Sequence, residues 1–212
     1  MPGDLLTIAS LNTRGVPLTG SHLAERYAAI GAGFDAGPVY QRFGRPPRTP
    51  GLPGRSRFQA WLKGALVTRL ARPELCVINT HPVANYDGDW SRANRYYPLH
   101  RAQFAVLARV VNEAGPRAVV CGDFNVARDS PVFREFTAAT GLADAFGGAC
   151  PPTFRADYLP AGATAHCIDF ILTAGEVTVE SAALVFAEKE PLGYVSDHIG
   201  LRAQLSLLNG TA

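Results

Sequence analysis

Residues 118–125 read AVVCGDFN, and no other stretch limits the fold as tightly. Ala118, Val119, Val120 and Cys121 form a short apolar run of the kind that lies inside a sheet. Gly122 then removes the side chain, and Asp123 and Asn125 follow, straddling Phe124. An interior strand therefore delivers a carboxylate and an amide to one place.

The same ending recurs along the chain. TIASLN ends at Asn12, CVINTH ends at His81, and CIDFIL carries Asp169 beside its apolar residues. VSDHIGL places Asp197 and His198 just before the last expected strand. A single buried Asp or His is most often a satisfied polar group of the core. Several apolar strands that each end in Asn, Asp or His instead point to convergence on one site. Hard oxygen donors suit Mg2+ or Mn2+. Histidines suit contact with a charged phosphoryl oxygen, or movement of a proton.

The rest of the chain frames those strands. Residues 5–11 read as a strand, 21–33 as a helix capped by Ser21, and 62–70 with 75–80 as a hairpin turning at Arg72-Pro73. Residues 98–114 carry an amphipathic stripe of Phe104, Leu107, Ala108 and Val111, and Gly115-Pro116 stops that helix. A short helix is expected over 131–140, and strands over 167–174, 177–186 and 200–207. Residues 42–57 hold five arginines, four prolines and no acid, and read as a loop. No repeat or linker interrupts the order, so one α/β domain of two packed sheets over residues 1–212 is expected.

Composition excludes several classes. Of 212 residues, 47% are hydrophobic, which rules out a disordered chain, and the net charge of +2 makes no global case for nucleic acid. The apolar runs fall short of the roughly 18 to 20 residues a spanning helix needs, and no leader pattern opens the chain. None of the four cysteines forms a C-x-x-C pair, and Cys76 and Cys121 read as buried free thiols. A cytoplasmic monomer is the expectation.

GDFN, with SDH near the C-terminus, NTH before it and a first strand ending in Asn12, resembles the endonuclease/exonuclease/phosphatase superfamily. Its members include DNase I-like nucleases, abasic-site endonucleases, inositol-phosphate phosphatases and neutral sphingomyelinases. The resemblance covers nearly the whole chain. It implies a four-layered α/β/β/α sandwich of two mostly antiparallel sheets, and a Mg2+- or Mn2+-dependent attack of water on phosphorus. By the same resemblance Asp123 would orient or deprotonate the water, and Asn125 would hold it or a phosphate oxygen. His198 would contact the scissile phosphate with Asp169 bonded to its ring, His81 would donate to another phosphate oxygen, and Asn12 and Asp197 would lie at the metal.

The chain departs from the family in one respect. A second strand ending in Gln-Glu normally supplies the principal metal ligand, yet residues 26–73 hold no glutamate and only one acid, Asp35. The chain thus reads as shortened between about 34 and 57, and a catalytically inactive phosphate- or partner-binding module is the alternative function. The segment PVANYDGDWSRANRYYPLHRAQ, with NTHPVAN before it, resembles sphingomyelinase-like and bacterial members. Within it Asn85, Arg95 and Tyr96 are the expected contacts to a phosphoester substrate, whether nucleic acid, phospholipid or a small phosphodiester.

Overall fold

In a computed structural model of the chain, the described residues are 5–12, 38–189, 191 and 193–208. The expected helix over 21–33 lies outside them. Among the described residues, nine strands and three α-helices follow in order: β1 (Leu6–Ser10), β2 (Val39–Arg42), α1 (Gly54–Leu62), β3 (Gly64–Ala71), β4 (Glu74–Thr80), α2 (Tyr97–Ala114), β5 (Ala118–Asp123), α3 (Pro131–Thr140), β6 (Ala143–Asp144), β7 (Asp169–Thr173), β8 (Val177–Val185) and β9 (Gly200–Leu207).

The strands make two sheets, one of order β1-β9-β8 and one of order β2-β3-β4-β5-β7-β6. Every pairing is antiparallel except β4 with β5. The crossover that a parallel pair requires is made through α2. Strands β5 and β7 are buried at every residue, as expected of strands covered on both faces. Their side chains share one core with Leu201, Ala203 and Leu205 of β9, which joins the two sheets. The fold is thus the expected α/β arrangement of two mostly antiparallel sheets.

Helices α2 and α3 pack against each other, and α2 also meets β3 and β5 of the large sheet. Leu99, Gln103, Phe104, Leu107 and Val111 form the buried stripe of α2, at the spacing of a helix face. Ser130 caps α3 by accepting from the Phe133 amide at 3.2 Å, Pro131 occupies the first turn, and Gly141 closes the helix in the left-handed region.

The loop expected over 42–57 is corrected at both ends. Arg42 closes edge strand β2, and residues 54–57 form the first turn of α1. The prolines at 46, 47, 50 and 53 all precede the helix, where a ring without an amide hydrogen breaks no helical bond. Ser56 and Ala60 turn inward, the Ser56 hydroxyl meeting the Tyr96 hydroxyl at 3.0 Å. A second small core of Leu52, Ala60, Val83, Tyr96 and Leu99 lies beneath.

Gly122 holds the centre of the large sheet together. A Cβ there would stand 2.1 Å from the Thr80 carbonyl oxygen, and its φ of +134° is one that other residues rarely adopt. Gly122→Ala is expected to destabilise the protein by at least about 3 kcal/mol through backbone strain and displacement of β4. Denaturant unfolding monitored by circular dichroism measures this, and a midpoint within error of the wild type would refute it.

Candidate active site

Strand register brings the polar ends together. Parallel pairing of Thr80 with Gly122 sets His81 beside Asp123, and antiparallel pairing sets Asp123 opposite Asp169. On the smaller sheet, Ser10 pairs with Leu201, so Asn12 and His198, each just past its strand end, lie side by side. The two groups then meet. Asn12 Nδ2 donates to Asp123 Oδ2 at 2.9 Å and stands 3.4 Å from His198 Nε2.

His198 is the hub. Its Nδ1 donates to Asp169 Oδ2 at 2.8 Å, which fixes the tautomer and leaves Nε2 facing Asp123 Oδ2 at 3.8 Å. Thr153 locks the carboxylate side of this pair, its hydroxyl accepting from the amides of Ile168 and Asp169 at 3.0 Å each. The ring of Phe154 stands edge-on to the imidazole at 5.0 Å. Ser196 locks the other side, accepting from the His198 amide while its hydroxyl donates to the Asn12 carbonyl.

Asn125 is left-handed, with φ of +54°. Its amide donates to Asp123 Oδ1 at 2.8 Å and its Nδ2 to the Pro82 carbonyl at 3.1 Å, while Trp90 Nε1 donates to its carbonyl. With Nδ2 committed, the side-chain oxygen is the atom Asn125 can offer a water. Asp197 is buried, its Oδ1 3.3 Å from the Ser196 hydroxyl oxygen.

Charge is concentrated here. Asp123 is pushed up to about 7, first by burial and then by the like charge of Asp169, against the opposing pull of His198. Burial draws His198 down, but the hydrogen bond and charge of Asp169, with the charges of Asp123 and Asp197, outweigh it and raise its pKa. His81 sits at the mouth, its Nε2 3.5 Å from Asp123 Oδ2 and its side chain 46% exposed. Its pKa is held well below the imidazole range by lost hydration, then by Lys63 and His198. Lys63, just past α1, is drawn down to about 8 by burial, with the Asp123 charge opposing.

The structure therefore brings Asn12, His81, Asp123, Asn125, Asp169 and His198 together, with Asp197 adjoining. A cleft of about 580 Å³ opens beside them, bounded by Asn85, Trp90, Asn125, Phe154, Tyr158 and His198 among others. Of the expected substrate contacts, Asn85 lines this cleft and its side chain is tied to the Asp87 amide and the Asp89 carbonyl. Arg95 is placed elsewhere, clamped on both oxygens of Asp87 and on the Gly51 carbonyl. Tyr96 is fully buried beneath α1, a packing residue in place of the contact expected of it. Lys63 and Thr153 were not signalled by the sequence, because each acts through partners distant in the chain; Ser196 opens the SDH motif, where only Asp197 and His198 were given roles.

Asp123, Asp169 and His198 offer ligand atoms that all lie within 4.8 Å of one another. Two buried carboxylates facing each other across β5 and β7 carry more negative charge than His198 neutralises, and this donor set fits a divalent cation. Two mostly antiparallel sheets with such a carboxylate and imidazole cluster at their joined ends are the fold and site that the sequence resemblance implies. The chain belongs to the Endonuclease/Exonuclease/phosphatase family, whose sequence profile matches residues 8–198. No curated protein sequence matches it.

Solved structures share the fold. A humanized D. rerio TDP2 carrying 14 mutations is 19% identical with a TM-score of 0.60, over 95% of this chain and 99% of that one. D. rerio TDP2 complexed with a single-strand DNA product is 17% identical with a TM-score of 0.57, over the same shares. The human nocturnin catalytic domain with bound sulfate anion is 19% identical with a TM-score of 0.53, over 81% of this chain and 59% of that one.

The elevated pKa of Asp123 has a consequence for stability. A carboxyl whose folded pKa lies above its unfolded value stabilises the fold at low pH, and this contribution is lost as pH rises from about 4 through about 7. Asp123→Asn keeps an oxygen for the Asn125 amide without the charge. In metal-free buffer it is expected to raise Tm by several degrees at pH 8 and by less at pH 5. Scanning calorimetry at the two pH values checks this; an unchanged or lowered Tm at pH 8 refutes it.

Proposed function

We propose that the chain is a divalent-metal-dependent phosphodiester hydrolase in which a water attacks phosphorus. The observation that carries the reading is the His198 imidazole, held by Asp169 on one nitrogen and turned toward Asp123 and Asn12 with the other. Because Asp169 and His198 satisfy each other, the ion is assigned to Asp123, with Asn12 and Asp197 as further oxygen donors. When bound, such an ion, Mg2+ or Mn2+, offsets negative charge on the phosphate and the leaving oxygen.

The chain's own groups divide the remaining work. Asp123 and the side-chain oxygen of Asn125 orient the water, whose proton is released to solvent. His198 Nε2 and His81 Nε2 donate to phosphoryl oxygens, and the Asp169 carboxylate holds the His198 ring in the donating tautomer. The single-strand DNA product in the TDP2 complex supports a phosphodiester over a monoester as the substrate. The lack of any acid over residues 38–73 favours one second reading, a phosphate-binding module without turnover.

Hydrolysis of a chromogenic phosphodiester separates the two. Turnover is expected only with Mg2+ or Mn2+, and His198→Ala and Asp123→Ala are each expected to lower kcat/KM by roughly a hundredfold or more. No turnover of this or of natural phosphodiesters, from protein that melts cooperatively, would support the module instead.

The pH profile gives an independent check. Asp123 must be ionised and His198 protonated, so the rate falls as pH drops through the Asp123 pKa and again as pH rises above that of His198. A cation on Asp123 competes with its proton, so raising Mg2+ is expected to move the acidic limb to lower pH. An acidic limb that stays fixed across Mg2+ concentrations would remove Asp123 from the metal site.

A further inference from the structure

We propose that the arginine-rich face of α1 and the loop before it bind single-stranded nucleic acid, an inference that takes its purpose from the phosphodiesterase reading but stands on different residues. Residues 38–73 carry seven arginines and one lysine and no acid, leaving twelve basic against eighteen acidic residues in the rest of the chain. A near-neutral protein thus confines its positive charge to one segment, the footprint of a polyanionic partner. Arg42, Arg45, Arg48, Arg55 and Arg57 are all exposed, and among the described residues no acid pairs with any of them.

The helix is turned the wrong way for packing alone. It buries its small residues, Ser56 and Ala60, and exposes its large ones. Phe58 is 61% and Trp61 46% exposed, their ring centroids are 6.4 Å apart, and the Arg42 guanidinium stands 5.3 Å from the Trp61 ring. A shallow, open groove of about 460 Å³ is lined by Arg45, Pro46, Gly54, Arg57, Phe58 and Trp61. Aromatic faces flanked by guanidinium groups match what an unpaired strand presents: bases that stack and phosphates that accept paired N–H bonds.

The position of the groove favours a strand over a membrane surface. A nine-residue helix is about 13 Å long, and α1 is followed by Lys63, whose charge acts on Asp123 and His81. A strand seated along α1 has a path to the phosphoester site.

Binding of a fluorescent single-stranded oligonucleotide, followed by anisotropy in EDTA, tests this without turnover. Wild-type affinity is expected to fall with salt. Arg45→Gln/Arg57→Gln is expected to weaken binding at least tenfold and to flatten the dependence of log K on log salt by about 1.4, the share of two phosphate contacts. Trp61→Ala is expected to weaken binding by about tenfold with the salt slope unchanged. Both variants should melt as the wild type does and hydrolyse a small chromogenic diester at the wild-type rate. Equal oligonucleotide affinity in all three proteins would overturn the proposal. So would binding of anionic phospholipid vesicles that depends on these residues while the oligonucleotide is ignored. Oligonucleotide binding that depends on these residues in a protein without diesterase activity would uphold this surface and refute the hydrolase reading alone.

Discussion

The parallel junction of β4 and β5 is the constraint on which the rest depends. It is the single parallel contact among the described strands, and Gly122 makes it by letting the Thr80 carbonyl approach where a Cβ would stand. With that spacing fixed, the next residues along, His81 and Asp123, emerge side by side, and the antiparallel neighbour β7 brings Asp169 opposite Asp123. The site is therefore a product of register. A slip of one residue in either pairing would turn the carboxylates to the opposite face of the sheet.

Register also creates the electrostatic problem that the site uses. Like charges directly opposite on neighbouring strands destabilise a sheet, and here both carboxylates are buried. The structure answers with unequal treatment. Asp169 receives the His198 ring and the order imposed by Thr153, whereas Asp123 receives two neutral donors, Asn12 and the Asn125 amide. Burial and the like charge of Asp169 push Asp123 up against those two donors, and the hydrogen bond and charge of Asp169, with the charge of Asp123, raise His198 against its burial.

The chemistry of the strand ends was legible in the sequence because each end is local. Asp123 follows its own apolar run, and Asp197 and His198 precede theirs. Most of the strands, and helices α2 and α3, were legible for the same reason, since period and punctuation lie within each segment. What escaped was non-local. Strand β2 is exposed along its length and carries no buried alternation to read, and α1 begins after a run of prolines that reads as breakage. Tyr96 looked like a loop aromatic free to stack, yet it anchors α1 through Ser56, forty residues earlier. Arg95 looked like a phosphate ligand, yet its partner Asp87 lies in the same loop, and sequence alone does not tell a satisfied arginine from an available one.

The failure at α1 and the legibility of α2 have one cause. A helix that faces a core announces itself by a stripe of large apolar residues, and α2 does so with Leu99, Phe104, Leu107 and Val111. Helix α1 inverts the stripe. Its contact with the core needs only Ser56 and Ala60, because Tyr96 rises from below to meet it, so the bulk of Phe58 and Trp61 is left for the surface. Segments whose large side chains face the interior are readable from pattern, and segments whose large side chains face outward are not. The same inversion that hides α1 from a sequence reading sets its aromatic and cationic face outward, on a helix whose last turn is followed by Lys63 at the rim of the buried carboxylates.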